Sequence, residues 1–218
     1  MKFVEFLNSP EKTTVGKIVC VGRNYAEHAK ELGNEVPEFP VLFLKPASAL
    51  IYSGDTIIKP AFSNEMHHEI ELVLLVGRDL KDASEEESLA AITAYSIGLD
   101  MTLRDVQNVL KKKGEPWTIA KCFDTSAVIS KLIKISENPL SPEMNLSLSV
   151  NGNLRQSSKL ENMIFSPSRL ISYISSRMML EPGDLIYTGT PAGVNKVEPG
   201  DILVGKLDEL ISLEAKVG

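Results

Sequence analysis

The chain has 218 residues, 43% hydrophobic and 24% charged, with 23 Lys and Arg against 29 Asp and Glu, a formal net charge of −6. This is ordinary globular composition, which argues against disorder, and the length supports a core that folds without a disulfide or a metal. The acidic balance disfavours nucleic acid as the main partner, and the longest strongly apolar run, 72–76, falls far short of the roughly 20 residues that span a bilayer.

The N-terminus meets Glu5 almost at once, so it carries no signal-peptide core and no Arg-rich transit pattern; a soluble, cytoplasmic protein with no membrane partner is expected. The turn-bounded apolar runs predict strands over 17–21, 41–44, 56–58, 69–76, 94–99, 146–150, 185–188, 202–204 and 211–217. Between the first two, the segment from Arg23 to Gly33 predicts a short helix, capped by Asn24 and ended by the glycine. Ser84 and Glu87 form a capping box ahead of a second helix. Thr102 and Asp105 are expected to open a third, with Leu103, Val106 and Leu110 on one side and Lys111, Lys112, Lys113 and Gly114 at its end. Asn151-Gly152 predicts a tight hairpin, and Ser166-Pro167 a helix start, followed by Leu170, Ile171, Ile174 and Met178 at helical spacing. Two Pro-Gly turns, Pro182-Gly183 and Pro199-Gly200, each lead into a strand. Strands outnumber helices, so the reading is a sheet-rich α+β fold in one domain, 1–218, and not a regular βαβ array. Cys20 and Cys122 form no zinc or redox motif, and Cys20 reads as a small core residue.

Glu69 and Glu71 stand two apart at the start of the most apolar strand, so they project to one face. Two such carboxylates repel unless a cation lies between them. Asp100 ends another apolar run, and three hard oxygen donors from strand ends suit Mg²⁺ or Mn²⁺. By spacing alone the pair reads more readily as a solvated strand face, with Asp100 in a turn, and His67 and His68, though donor candidates, as partly exposed structure. His28 and Glu31 are neighbours at i, i+3, an arrangement suited to a general base or to a plain surface pair. Lys121, among apolar residues, is a snorkelling side chain or a recessed charge facing an anion. Gly189-Thr190-Pro191 lacks the ending of a nucleotide-binding loop, yet its N–H groups and hydroxyls could cradle a carboxylate.

Taken in order, Val19-Cys20-Val21-Gly22-Arg23-Asn24-Tyr25, Leu42-Phe43-Leu44-Lys45-Pro46, His67-His68-Glu69-Ile70-Glu71-Leu72, the stretch from Gly98 to Gln107 containing Asp100, Thr102 and Arg104, Pro116-Trp117-Thr118 with Lys121, and Thr188-Gly189-Thr190-Pro191 resemble the fumarylacetoacetate hydrolase family. The likeness runs nearly the whole chain and is nearest to the compact acylpyruvate hydrolase and oxaloacetate decarboxylase branch. It implies a mixed β-sandwich roll with peripheral helices, usually a homodimer. It implies one divalent cation, Mg²⁺ or Mn²⁺, on Glu69, Glu71 and Asp100. It implies a His28–Glu31 dyad on a helix that orders over substrate, with Lys121 and Gln107 as further catalytic groups. Gly189 and Thr190 are expected to hold a substrate carboxylate, with Arg23 and Lys45 as additional substrate-binding residues.

The substrate class so implied is a small anionic 2-oxo acid. The expected reactions are acylpyruvate C–C hydrolysis to pyruvate and a carboxylic acid, and oxaloacetate decarboxylation. Isomerisation of a 2-hydroxyhepta-2,4-diene-1,7-dioate type diacid and oxaloacetate keto–enol tautomerisation are the alternatives within the family. A catalytically silent metal-binding protein on the same fold is the alternative of another class.

Overall fold

The computed structural model describes residues 1–33 and 35–218. Its centre is a large mixed sheet in the order Val41–Lys45, Ile18–Gly22, Leu185–Tyr187, Ile70–Val76, Ile92–Asp100, Ala127–Ile129 and Leu50–Tyr52, with Ile133–Lys134 also paired to Ile92–Asp100. Two pairings are parallel, Leu185–Tyr187 on Ile18–Gly22 and Ala127–Ile129 on Leu50–Tyr52; the others on this path are antiparallel. A second sheet runs Asn153–Lys159, Asn145–Val150, Ile202–Leu207, Ile211–Val217 and Thr56–Ile57. This is the sheet-rich roll with few, peripheral helices that the sequence implied.

Strand Ile70–Val76 is buried along its whole length because it is covered on both faces. Leu72, Leu74 and Val76 join the apolar cluster shared with Leu146, Leu148, Leu203 and Leu213 of the second sheet. Val73 and Leu75 point the other way, into a smaller cluster with Ile18, Cys20, Leu185 and Tyr187. A strand packed on two sides reads as a continuous apolar run without alternation, which is why this segment stands out in the sequence. Both cysteines are free, and Cys20 is buried as expected.

Helix α1 spans Ala26–Glu31, α2 Glu85–Ala91, α3 Arg104–Lys113, α4 Thr118–Lys121 and α5 Pro167–Arg177. Helix α2 has its reciprocal Ser84–Glu87 capping box, and Ser166 caps α5 by accepting from the Arg169 N–H. Asn151 and Gly152 take φ of 51° and 77°, the left-handed pair that a tight hairpin needs. No described helix is long and apolar enough to cross a membrane.

Two expected caps are absent for a physical reason. Asn24 does not cap α1, whose preceding residue is Tyr25. Its buried amide instead donates to the Phe165 and Thr188 carbonyls, 3.1 and 2.8 Å away, and accepts from the Phe165 N–H at 2.8 Å. Thr102 does not cap α3, which starts after Leu103; it lies in a two-residue strand, Thr102–Leu103, paired to Met66–His67. In both cases buried long-range partners outcompete the local cap.

Candidate active site

Glu71 faces Gly98 across the central sheet, and Asp100 follows two residues further along that neighbouring strand. With Glu69 just before the strand start, the three carboxylates offer oxygens within 4.8 Å of one another, all buried. The spacing argument from the sequence left a solvated face open; here that face is covered.

Cations surround two of the three. Lys121 Nζ lies 2.8 Å from Glu69 Oε2, 2.6 Å from Asp100 Oδ2 and 2.5 Å from Thr102 Oγ1, so its three N–H groups are all engaged. Arg104 donates to Glu69 Oε1 and, at 2.7 Å, to Gln107 Oε1. Burial alone would raise the Glu69 carboxyl, but Lys121 and Arg104 outweigh it and hold it below the usual carboxylate range. Burial likewise works against the Lys121 ammonium, and Asp100 and Glu69 keep it charged.

Glu71 is different. It accepts the Gly189 N–H at 2.8 Å and pairs with no cation among the described residues. Burial, then Asp100, then Glu69 push its carboxyl well above the ordinary range. Asp100 Oδ1 is buried without a hydrogen-bond partner, although Lys45 Nζ stands 2.9 Å away as an ion pair. A buried carboxyl without a cation of its own, beside two further carboxylates with oxygens within 4.8 Å, is what a hard divalent cation would satisfy, so the residues fit such an ion.

The dyad sits opposite. His28 Nδ1 is 3.2 Å from Glu31 Oε2, and the Glu31 carboxylate also accepts the Gly193 N–H at 3.0 and 3.2 Å. With Nδ1–H turned to Glu31, Nε2 is left to accept a proton. Burial lowers the His28 pKa, keeping the ring neutral near pH 7; Glu69 and Glu31 oppose that shift. His28 lines a cleft with Arg23, Glu69, Glu71, Arg104 and Gln107, closed further by Phe43, Lys111, Trp117, Lys121 and Thr190. The cavity is only about 30 Å³, room for about two water molecules, so a wall must give way to a substrate. Helix α1, six residues long and without a side-chain cap, forms one wall.

Three expected substrate-binding residues have other partners in the structure. Lys45 does not line the cleft: it is buried behind Asp100, donating to the carbonyls of Met101, at 3.3 Å, and Lys121. The Gly189 N–H is committed to Glu71. The Thr190 hydroxyl donates to the Ile70 carbonyl at 2.7 Å and accepts from Gln156 Nε2 at 2.8 Å. Gly189 and Thr190 thereby tie the 189–191 turn to the strand that carries Glu71. Gly189 itself is required, with φ of 98° and a notional Cβ 2.6 Å from the Asn24 Cβ.

His67 and His68 stand outside the carboxylate cluster. His67 is half-buried with its pKa lowered to about 4 by burial and Arg104, and His68 Nδ1 is 2.9 Å from Gln156 Oε1. Two residues that the sequence did not single out as site residues matter here. Arg104 precedes Gln107 by one helical turn, a spacing that could have marked the pair. Gln156 uses its whole amide: Nε2 donates to Thr190 Oγ1 and the Pro191 carbonyl, and Oε1 takes the Ile70 N–H and faces His68. It ties the strand carrying Glu71 to the 189–191 turn, and nothing in the polar hairpin strand around it signals that.

A cage of buried carboxylates beside a neutral, carboxylate-oriented imidazole is the equipment of an acid–base enzyme of small carbonyl compounds. The chain belongs to the fumarylacetoacetate hydrolase family: the family's C-terminal domain, "Fumarylacetoacetate (FAA) hydrolase C-terminal", matches residues 17–218. It is 43% identical over 200 residues to the mitochondrial oxaloacetate tautomerase FAHD1 of Bos taurus, covering 92% of this chain and 90% of that protein. It is 46% identical over 195 residues to the oxaloacetate tautomerase YcgM of Escherichia coli, covering 89% of each. The crystal structure of fumarylpyruvate hydrolase from Pseudomonas aeruginosa in complex with Mn²⁺ and pyruvate superposes with a TM-score of 0.96, at 38% identity, covering 99% of this chain and 95% of that one.

Proposed function

We propose that the protein is a divalent-cation-dependent enzyme of small 2-oxo acids that works through an enol or enolate at the carbon next to the ketone. Glu69, Glu71 and Asp100 would hold the cation, Mg²⁺ or Mn²⁺, which when bound supplies Lewis acidity toward the 2-oxo acid end of the substrate. The observation that carries this reading is Glu71, a buried carboxyl with no cation of its own beside two other carboxylates. The solved relative that holds Mn²⁺ and pyruvate supports it.

The chain's own groups supply the proton chemistry. In acylpyruvate hydrolysis His28 Nε2 takes a proton from water, the hydroxide adds to the distal carbonyl, and the C–C bond breaks with its electron pair left on the pyruvate carbon. In oxaloacetate decarboxylation the same electron pair is left as carbon dioxide departs. In tautomerisation His28 moves the proton between carbon and solvent, and no C–C bond breaks. In each case Lys121, its N–H groups held by Glu69, Asp100 and Thr102, would favour the developing oxyanion by its charge, and Gln107, its Oε1 fixed by Arg104, would turn its NH₂ to substrate or water. The tautomerase reading is favoured as a second activity by the relatives that carry that name.

Purified protein with added Mg²⁺ or Mn²⁺, offered acetylpyruvate, fumarylpyruvate and both oxaloacetate tautomers, tests the reading. Pyruvate release or accelerated decay of the enol absorbance is expected for at least one. A protein that binds the cation yet turns over none of them would be the silent metal-binding protein instead.

A further inference from the structure

One short segment holds both halves of the site. After strand Leu185–Tyr187 the chain runs beside the strand that carries Glu71. Thr188 donates to the Leu72 carbonyl twice, from its N–H at 3.0 Å and its hydroxyl at 2.9 Å. The Gly189 N–H goes to Glu71 and the Thr190 hydroxyl to the Ile70 carbonyl. Further along the same turn, the Gly193 N–H reaches both oxygens of Glu31. Among the described residues, it is the one group outside helix α1 that hydrogen-bonds this carboxylate.

The far end of that turn is pressed against Asn153–Lys159, the edge strand of the second sheet. Gly193 has φ of 102°, and a notional Cβ there would lie 2.0 Å from the Arg155 carbonyl oxygen. Only glycine lets the turn come this close to the strand. The next strand residue, Gln156, is buried and donates to Thr190 Oγ1 and to the Pro191 carbonyl, both at 2.8 Å. The turn is thus clamped between the edge strand and the strand of Glu71. Helix α1 has no side-chain cap to fix its own geometry. The buried His28 ring meets Glu31 through Nδ1, so the direction of the Glu31 carboxylate sets which ring nitrogen carries the proton.

We propose that Gly193 and Gln156 are positioning residues of the reaction: Gln156 clamps the 189–193 turn, the Gly193 N–H orients Glu31, and Glu31 keeps His28 in the Nδ1–H tautomer with Nε2 free to take a proton. This rests on the reading given above in taking His28 as the base. Neither residue touches the reacting atoms. The bond from Gly193 ends on a carboxylate, so it is charge-assisted and directional enough to aim that group. Because Gly189 in the same turn holds Glu71, one turn sets the base in register with the carboxylate cluster.

The test reads the imidazole directly. The chain has 3 His, few enough for each ring's ¹⁵N signals to be assigned. With Mg²⁺ present at neutral pH, wild-type His28 should show the Nδ1–H tautomer alone. Gly193→Ala drives the turn off the Arg155 carbonyl, and His28 should then populate both tautomers while His67 keeps its wild-type signals. Turnover of the 2-oxo acid that the enzyme hydrolyses should fall about tenfold, a fraction of what a general base contributes, with Mn²⁺ affinity unchanged. Adding Gly193→Ala to Glu31→Gln should cost nothing more, since both act through one contact. Gln156→Met should shift the His28 tautomer the same way by a smaller amount, and it decides the matter where Gly193→Ala does not fold. A folded Gly193→Ala protein with the wild-type His28 tautomer overturns the proposal; failing that variant, a wild-type tautomer in Gln156→Met does so. A tautomer shift in a protein that turns over no 2-oxo acid would support the positioning role while removing the proposed reaction.

Discussion

The carboxylate floor and the dyad above it are built in opposite ways. Glu71 and Asp100 sit on adjacent central strands packed on both faces, with Lys45, Lys121, Gly189 and Gln156 fixing the surrounding backbone and side chains. His28 and Glu31 sit on a six-residue helix with no side-chain cap, docked through Glu31 on the Gly193 N–H. Cation binding needs preset distances, which a doubly packed sheet gives. Proton transfer needs a group placed over bound substrate, which the docked helix presents from the other side of the cleft.

The largest effect should come from breaking the floor. Chelation, or Glu71→Gln, should cost about a thousandfold or more in turnover, since Lewis acid stabilisation is worth several kcal/mol. Added Mn²⁺ should restore the chelated wild type, while the variant's circular dichroism stays native. Breaking the dyad should be more selective. His28→Ala should slow acylpyruvate hydrolysis by about 10²–10⁴-fold, the usual worth of a general base, and slow oxaloacetate decarboxylation much less. Both rates measured at saturating Mg²⁺ decide this, and equal losses would reassign His28 to a shared step such as closure.

Smaller again is the effect of the Glu31 contact. Because burial lowers the His28 pKa, the base form should persist below pH 6.5, and the acidic limb of kcat/KM should fall at lower pH than free imidazole would give. Glu31 raises that pKa, so Glu31→Gln should move the limb further down while reducing the plateau about tenfold through lost orientation. A pH profile of both proteins measures the shift and its sign. Gln156→Met tests the floor's outer support. It leaves the Ile70 N–H and the buried His68 without their acceptor, at roughly 1–3 kcal/mol for each group left unpaired. Urea unfolding should show that loss.

Most strands and the main helices were legible in the sequence because they carry strong local signals: the apolar run at 72–76, the Ser84 box, the Asn151-Gly152 turn. The carboxylate cluster was legible as a pattern, but its burial was not, because burial depends on the second sheet folding over it. Asn24 and Thr102 misled because local cap rules ignore partners over 100 residues away or across a strand pair. Short strands such as Leu50–Tyr52 and Ala127–Ile129 passed unread, since two or three residues hold no period and gain their pairing from neighbours. Gln156 gave no signal at all: its meaning lies entirely in the Thr190, Pro191 and Ile70 groups that it meets after folding.

The central claim is that Glu71 waits for a divalent cation. Without one, burial and its two carboxylate neighbours push its carboxyl well above the ordinary carboxylate range, so proton release should accompany binding of the ion. Isothermal titration of chelated protein with Mn²⁺, repeated near pH 6 in buffers of different ionisation enthalpy, measures both stoichiometry and proton release. The account predicts one Mn²⁺ per chain with release of protons, and loss of both in Glu71→Gln. Tight binding with no proton released, or unchanged binding in Glu71→Gln, would contradict it.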